Sequence, residues 1–150
     1  MVRRMTRTLR LPIFIHASPK RVFKWISDDR RLTRWLSDAA ALSARKGGRY
    51  RLGWDGGPTH TGRVLAFARG KQLTLSWQWP GKEHLGPTKL KLAVEPADGG
   101  TVLRFLHSGF GTTGEWVELY EGAIRGWTYF MMNLKSVLES DRDLRSPLDW

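Results

Sequence analysis

The sequence predicts an α+β fold in which a curved antiparallel sheet wraps around one long C-terminal helix, with two short helices after the first strand. Three observations carry this. Between residues 47 and 107, stretches of alternating apolar and polar residues recur between Gly- and Pro-rich turns, the period of strands that bury one face. From about Thr113 to about Glu139 no proline intervenes, and the apolar residues gather on one side of a helical wheel. Between them and the N-terminus, Ser18-Pro19 and Asp28 supply two helix starts.

The first strand is read from Leu9, Leu11, Ile13 and Ile15 alternating with Arg10, Pro12, Phe14 and His16. Pro12 has no N–H to give a ladder, so this strand belongs at an edge or carries a bulge there. Ser18 then caps a helix with proline at its first position, and Val22, Phe23 and Ile26 form its apolar side. Asp28 caps a second helix on which Leu32, Trp35 and Leu36 share a face. Gly47-Gly48 opens a strand with Tyr50, Leu52 and Trp54 on one side and Arg49 and Arg51 on the other, ended by Gly56-Gly57-Pro58. A strand from Gly62 to Phe67 follows, and Arg69-Gly70-Lys71 turns the chain. Leu73, Leu75, Trp77 and Trp79 share the next face; Pro80 to Pro87 is a loop; Thr88, Leu90, Leu92 and Val94 share another. Asp98-Gly99-Gly100 makes a hairpin turn into Thr101, Leu103, Phe105 and His107.

The last helix is the strongest signal. Thr112 and Glu115 have capping-box spacing. At 1.5 Å per residue the helix would run roughly 40 Å. Trp116, Leu119, Tyr120, Ala123, Ile124, Trp127, Phe130, Met131, Leu134, Val137 and Leu138 fall within an arc of about 140°. Glu115, Glu118, Glu121, Arg125, Tyr129 and Glu139 fall outside it. Tyr129 and Met132 on the wet side suit contact with a second copy or a covered strand edge. The whole chain, 1–150, reads as a single domain, with a basic tail at 1–7 and a loosely held tail at 141–150.

Composition narrows the function classes. With no cysteine, disulfides, thiolate metal sites and cysteine nucleophiles are excluded together. No apolar run approaches the roughly 20 residues that span a bilayer, and the start, Met-Val-Arg-Arg, lacks a secretory signal. A cytoplasmic protein is the expectation. The net charge of +11 lies in the first third: residues 1–51 hold 14 Lys/Arg against three Asp, whereas residues 52–150 hold 11 of each sign. No recognition helix, zinc finger or Gly-aromatic RNA motif accompanies the charge, which argues against nucleic acid and leaves an acidic protein partner or a solvated surface.

The order of strand, two short helices, five further strands and long helix is the helix-grip plan. The chain resembles the START/Bet v 1-like superfamily and, within it, the domain related to the activator of Hsp90 ATPase. The residues that carry the resemblance span about 8–140. They are Ala17-Ser18-Pro19-Lys20-Arg21-Val22-Phe23, Leu32-Thr33-Arg34-Trp35-Leu36, Gly47-Gly48-Arg49-Tyr50, His107-Ser108-Gly109-Phe110, Gly126-Trp127 and Asn133-Leu134-Lys135-Ser136-Val137-Leu138-Glu139. The resemblance implies a container for lipids, steroids or aromatic molecules; a minority of the superfamily are cyclases or hydrolases, and some bind proteins.

Five of the eight tryptophans fall where a cavity wall would be. The expected ligand-binding set is Trp54, Trp77, Trp79, His107, Trp116, Trp127, Phe130 and Met131, enclosing a small apolar or aromatic molecule. The alternative is that these rings fill the core. His107 shares parity with Leu103 and Phe105 and is the one candidate catalytic group, a general base for a cyclase or dehydratase. No orienting carboxylate or nucleophile accompanies it, so a buried histidine satisfied by the backbone is the expectation, and a non-enzymatic container is preferred. His16, His60 and His84 lack metal-ligand spacing, and Gly109-Phe110-Gly111 lacks the dinucleotide fingerprint. No metal or cofactor is expected.

Overall fold

The computed structural model describes residues 5–145. Strand β1 (Arg7–Ile15) leads into helices α1 (Pro19–Ser27) and α2 (Asp29–Leu32). Strands β2 (Ala39–Leu42), β3 (Arg49–Gly53), β4 (Thr59–Ala68), β5 (Gln72–Trp77), β6 (Thr88–Ala97) and β7 (Gly100–Phe110) follow, then α3 (Glu115–Ser140). All pairings are antiparallel, in the order β1-β7-β6-β5-β4-β3-β2. This is the helix-grip arrangement. The meander β2 to β7 is joined by turns, except for a longer loop between β5 and β6, while α1 and α2 carry the chain from β1 at one edge of the sheet to β2 at the other.

Local chemistry explains the elements. Ser18 accepts from the Arg21 N–H and Asp28 from the Arg31 N–H, so both caps are made as the sequence implies. Val22, Phe23, Ile26 and Leu32 are buried; α2 ends at Leu32, so Trp35 and Leu36, expected on that helix, reach the core from the turn after it. Pro12 sits in the edge strand, opposite Arg104. The register shift in β1 falls between Arg7 and Thr8, and a second shift in β4 between Val64 and Ala66 turns Leu65 outward. Such shifts bend a sheet. Gly99, at φ +77°, forms the turn that Asp98-Gly99-Gly100 announces.

Three features depart from the sequence reading or add to it. The sequence pattern does not announce β2: Ala-Ala-Ala-Leu has neither strand propensity nor alternation, and it is held by pairing with β3 and by the Asp38 N–H on the Gly53 carbonyl. The capping box at Thr112 does not form. Gly114, at φ +62°, turns the chain into α3 without a side-chain cap, and Glu115 binds Lys82 and His84 instead of reaching back. As far as it is described, the tail makes hydrogen bonds to the body of the domain. Ser136 donates to the Arg142 carbonyl and Arg145 donates to the carbonyls of Ser37 and Thr33. Buried Asn133 donates to the Trp35 carbonyl and accepts the Leu144 N–H. A buried polar side chain on α3 thus finds its partners in the turn after α2 and in the returning chain. Residues 146–150 of that tail, and 1–4 of the basic one, lie outside the described residues; Arg7 is part of β1.

One glycine is fixed by packing. A Cβ on Gly62 would lie 2.6 Å from Ser76 Oγ, 2.7 Å from Tyr50 Cε1 and 2.9 Å from the Ser76 carbonyl oxygen. The Tyr50 hydroxyl donates to that same carbonyl, so neither neighbour yields without losing a bond. Gly62→Ala is therefore expected to lower stability by about 1–3 kcal/mol, the usual cost of overpacking. Denaturant melts of the two proteins check it, and equal midpoints would refute it.

Candidate functional site

Strand parity delivers Trp77 to the concave face, where its indole lies 5.1 Å from that of Trp127 on α3. Trp127 also packs on Phe105 at 4.9 Å, and Trp77 stacks on Tyr50 at 6.3 Å and on His60 at 4.2 Å. Beyond this contact, towards Ile26, Trp35 and Leu92, the interior is filled; a residual void there measures about 20 Å³. On the other side of it, under the first half of α3, helix and sheet part. The cleft between them has a volume of about 470 Å³.

Trp54, His60, Trp77 and Trp79 form the sheet wall of the cleft; Leu119, Gly122, Ala123, Gly126, Trp127 and Phe130 form the helix wall; Pro58 and Glu118 lie at its rim. Two positions of the helix wall are glycine, so no side chain of theirs enters the space. A Cβ built on Gly122 or on Gly126 meets nothing within 4 Å. Each glycine within a helix costs up to about 1 kcal/mol relative to alanine.

Five of the eight expected site residues line the cleft: Trp54, Trp77, Trp79, Trp127 and Phe130. Three do not. Trp116 stands behind Trp79 at 6.2 Å and is seated on Gly111, where a Cβ would come within 2.3 Å of its ring. Met131 is turned into the core. His107 is fully buried behind Trp79, whose ring stacks on it at 5.6 Å. Ile124, placed on the dry stripe, is 37% exposed because the first half of α3 overhangs the cleft instead of resting on the sheet.

His107 is also not satisfied by the backbone. The Thr88 hydroxyl donates its single hydrogen to the Trp77 carbonyl at 3.0 Å, so its 2.6 Å contact with His107 Nε2 must be donated by the imidazole. That fixes the Nε2–H tautomer and leaves Nδ1 as a buried lone pair without a partner among the described residues. Burial, with His60 nearby adding to it, holds the His107 pKa down to about 3. A neutral imidazole sealed behind Trp79 has no path to a substrate in the cleft.

His60, Glu118 and the two helix glycines carry no clear signal in the sequence. His60 lies opposite Leu52 in the β3–β4 register, so its parity is inward; a strand begun only at Gly62 conceals this. The His60 Nδ1 lies 2.9 Å from the Gln78 carbonyl oxygen, and burial lowers its pKa against that bond. Glu118 falls outside the apolar arc of the wheel, and the edge of that arc is where the rim runs. Beside the cleft, Glu115 takes Lys82 Nζ and His84 Nε2, each at 2.6 Å, tying the 80–87 loop to the start of α3. Hydrogen bonds from Lys82 and then His84 pull the Glu115 carboxyl down to about 2.

Residues 16–139 match the family of the activator of Hsp90 ATPase homolog 1-like proteins. The chain belongs to that family. Among solved structures, protein MLL2253 of Mesorhizobium loti shares 24% identity over 95% of this chain and 100% of its own, with a TM-score of 0.79. The Aha1 of Colwellia psychrerythraea, solved in solution as a dimer, shares 20% identity over 91% of this chain and 98% of its own, also with a TM-score of 0.79. CalU16 of Micromonospora echinospora shares 24% identity over 93% of this chain and 78% of its own, with a TM-score of 0.72. At these identities the likeness is one of fold. No curated protein matches this chain in sequence. Among the described residues no helix is long and apolar enough to cross a membrane.

The buried imidazole makes stability depend on pH. The folded pKa of His107 lies below its unfolded value, so the unfolded chain takes up the proton first as pH falls through 6.5 towards 3. The stabilisation is complete above the unfolded pKa and is lost on the acid side. A tenfold difference in proton affinity between the folded and unfolded chains corresponds to ~1.4 kcal/mol, so several kcal/mol should disappear by about pH 4. Urea melts at pH 7 and pH 4.5 should show this loss, and His107→Gln should flatten it; an equally steep acid limb in the variant would contradict the assignment.

Proposed function

We propose that this domain binds a flat, apolar, uncharged small molecule in the cleft between sheet and α3, without chemistry upon it. The observation that carries this reading is the pairing of aromatic walls with a glycine-lined roof. Trp54, Trp77, Trp79, Trp127 and Phe130 surround about 470 Å³ of space, and the two helix positions above it have no side chain. A domain built for stability alone would close over these rings, because apolar surface left in an open cleft forgoes the free energy of burial. The volume lies within the range of small-molecule sites, and indoles present wide apolar faces with a polar edge. The Trp54 N–H is already committed to the Leu36 carbonyl, which locks that ring in place as a wall.

N-phenyl-1-naphthylamine is a suitable uncharged probe. It should quench tryptophan fluorescence, and it should raise the melting temperature by mass action. Gly126→Leu places a side chain in the cleft and replaces a poor helix former with a good one. This variant should melt no lower than wild type and should abolish the quenching. Wild-type protein that neither quenches nor gains stability with the probe would defeat the reading, as would a Gly126→Leu variant that binds unchanged.

A second reading, docking of an acidic protein, draws on the convex face. Arg10, Arg49, Arg51, Arg63, Lys89 and Lys91 point away from the core and make no ion pair among the described residues. Arg49 and Arg63 are directly opposite in register, a like-charge pairing that costs stability unless an anion relieves it. Such a complex forms without the cleft and weakens as salt screens it. Retention of acidic proteins on immobilised domain should fall between about 50 mM and about 500 mM salt, and Arg49→Glu/Arg63→Glu should remove it; retention indifferent to both changes would exclude this face.

A further inference from the structure

The polar atoms of the cleft wall restrict its ligand further, and this step rests on the cleft being the binding site. His60 Nδ1 contacts a backbone carbonyl oxygen, which can only accept, so the ring proton resides on Nδ1 and Nε2 carries the lone pair. Nε2 meets no hydrogen-bond donor among the described residues. It is not sealed in the core either, since the buried polar atoms left without partners are Arg7 Nε, Arg7 Nη2 and His107 Nδ1. His60 lines the cleft. Apart from Glu118 at the rim, the remaining side chains of the wall offer no acceptor: they are indoles, phenyl, proline, leucine, alanine and glycine. The indole N–H groups of Trp77, Trp79 and Trp127 likewise lack partners among the described residues and are not sealed, and they can only donate.

We infer that the cleft selects a planar aromatic molecule carrying a neutral hydrogen-bond donor, a phenolic hydroxyl or a ring N–H, which it gives to His60 Nε2. The stack of the imidazole on Trp77 at 4.2 Å and its edge-on contact with Trp54 at 5.8 Å hold that acceptor in a fixed direction. An acceptor between aromatic walls discriminates, because a ligand without the donor leaves it unpaired while still removing water from it. An aromatic of equal area that lacks the donor is the poorer ligand.

Isothermal titration calorimetry at about pH 7.5, where His60 is neutral, with 2-naphthol and 2-methoxynaphthalene tests this directly. The two share a ring system, and the ether can accept but not donate. Wild type should bind 2-naphthol about 3- to 10-fold more tightly, the range expected for one net hydrogen bond. His60→Phe keeps the stacked ring without the acceptor and should bring the ratio close to one. Equal wild-type affinities for the two probes would overturn the inference and leave the cleft reading standing. Failure of both probes to bind would overturn the cleft reading and the inference with it. Should His60→Phe not fold, the wild-type ratio alone decides.

Discussion

The contact of Trp77 with Trp127 is the hinge of this architecture. On one side of it helix and sheet meet as a filled core of leucines, Trp35 and Ile26. On the other side the same two elements diverge over a cleft of about 470 Å³. The indole pair sets the distance between helix and sheet at mid-length, since neither ring can be compressed and each is fixed by further neighbours. Trp127 rests on Phe105, and Trp77 is wedged between Tyr50 and His60. With that spacing imposed, glycine at 122 and 126 leaves space where any larger residue would reduce it.

Burial of polar groups follows the same division. In the closed half, Asn133 and Tyr50 are satisfied by backbone groups, and burial raises the Tyr50 pKa far above its ordinary value. His107 is neutral and bonded at one nitrogen through Thr88; its second nitrogen is buried without a partner among the described residues, in a ring packed on Trp79 and Phe110. In the open half, the lining holds the His60 acceptor and several indole donors without partners among the described residues. Unpaired polar atoms are costly when sealed and inexpensive when a cleft lets water or ligand reach them. The two histidines thus differ by location: one is a structural group that must stay neutral, the other a group available to a ligand.

How far the molecule is legible in its sequence depends on the periodicity of each segment. The strands with strict alternation, such as Leu73 to Trp77 and Thr101 to His107, point their side chains as their pattern states. The caps at Ser18 and Asp28 are local chemistry and are made locally. Ala39–Leu42 has no pattern of its own and becomes a strand through its neighbour β3, which is tertiary information. The helical wheel identifies the apolar side of α3 but not where along its length that side touches the sheet. For this reason the wheel groups Ile124 and Trp116 with residues that line or fill the interior, and it does not mark Glu118 and the glycines as rim and roof. His60 is hidden because the alternation that marks β4 becomes clear only after it. The cleft is a property of distances between elements: strand parity and the helical wheel recover the residues that face inward, but not which of them line it.

Nuclear Overhauser contacts in solution measure the central claim, a closed contact at Trp127 beside an open cleft beneath Gly122 and Gly126. The account predicts strong contacts from the Trp127 ring protons to Trp77 and Phe105, and none from the Gly122 or Gly126 α-protons to the rings of Trp77 and Trp79. Clear contacts between those glycines and the sheet indoles in the ligand-free protein would mean that the helix has settled onto the sheet, and would contradict it.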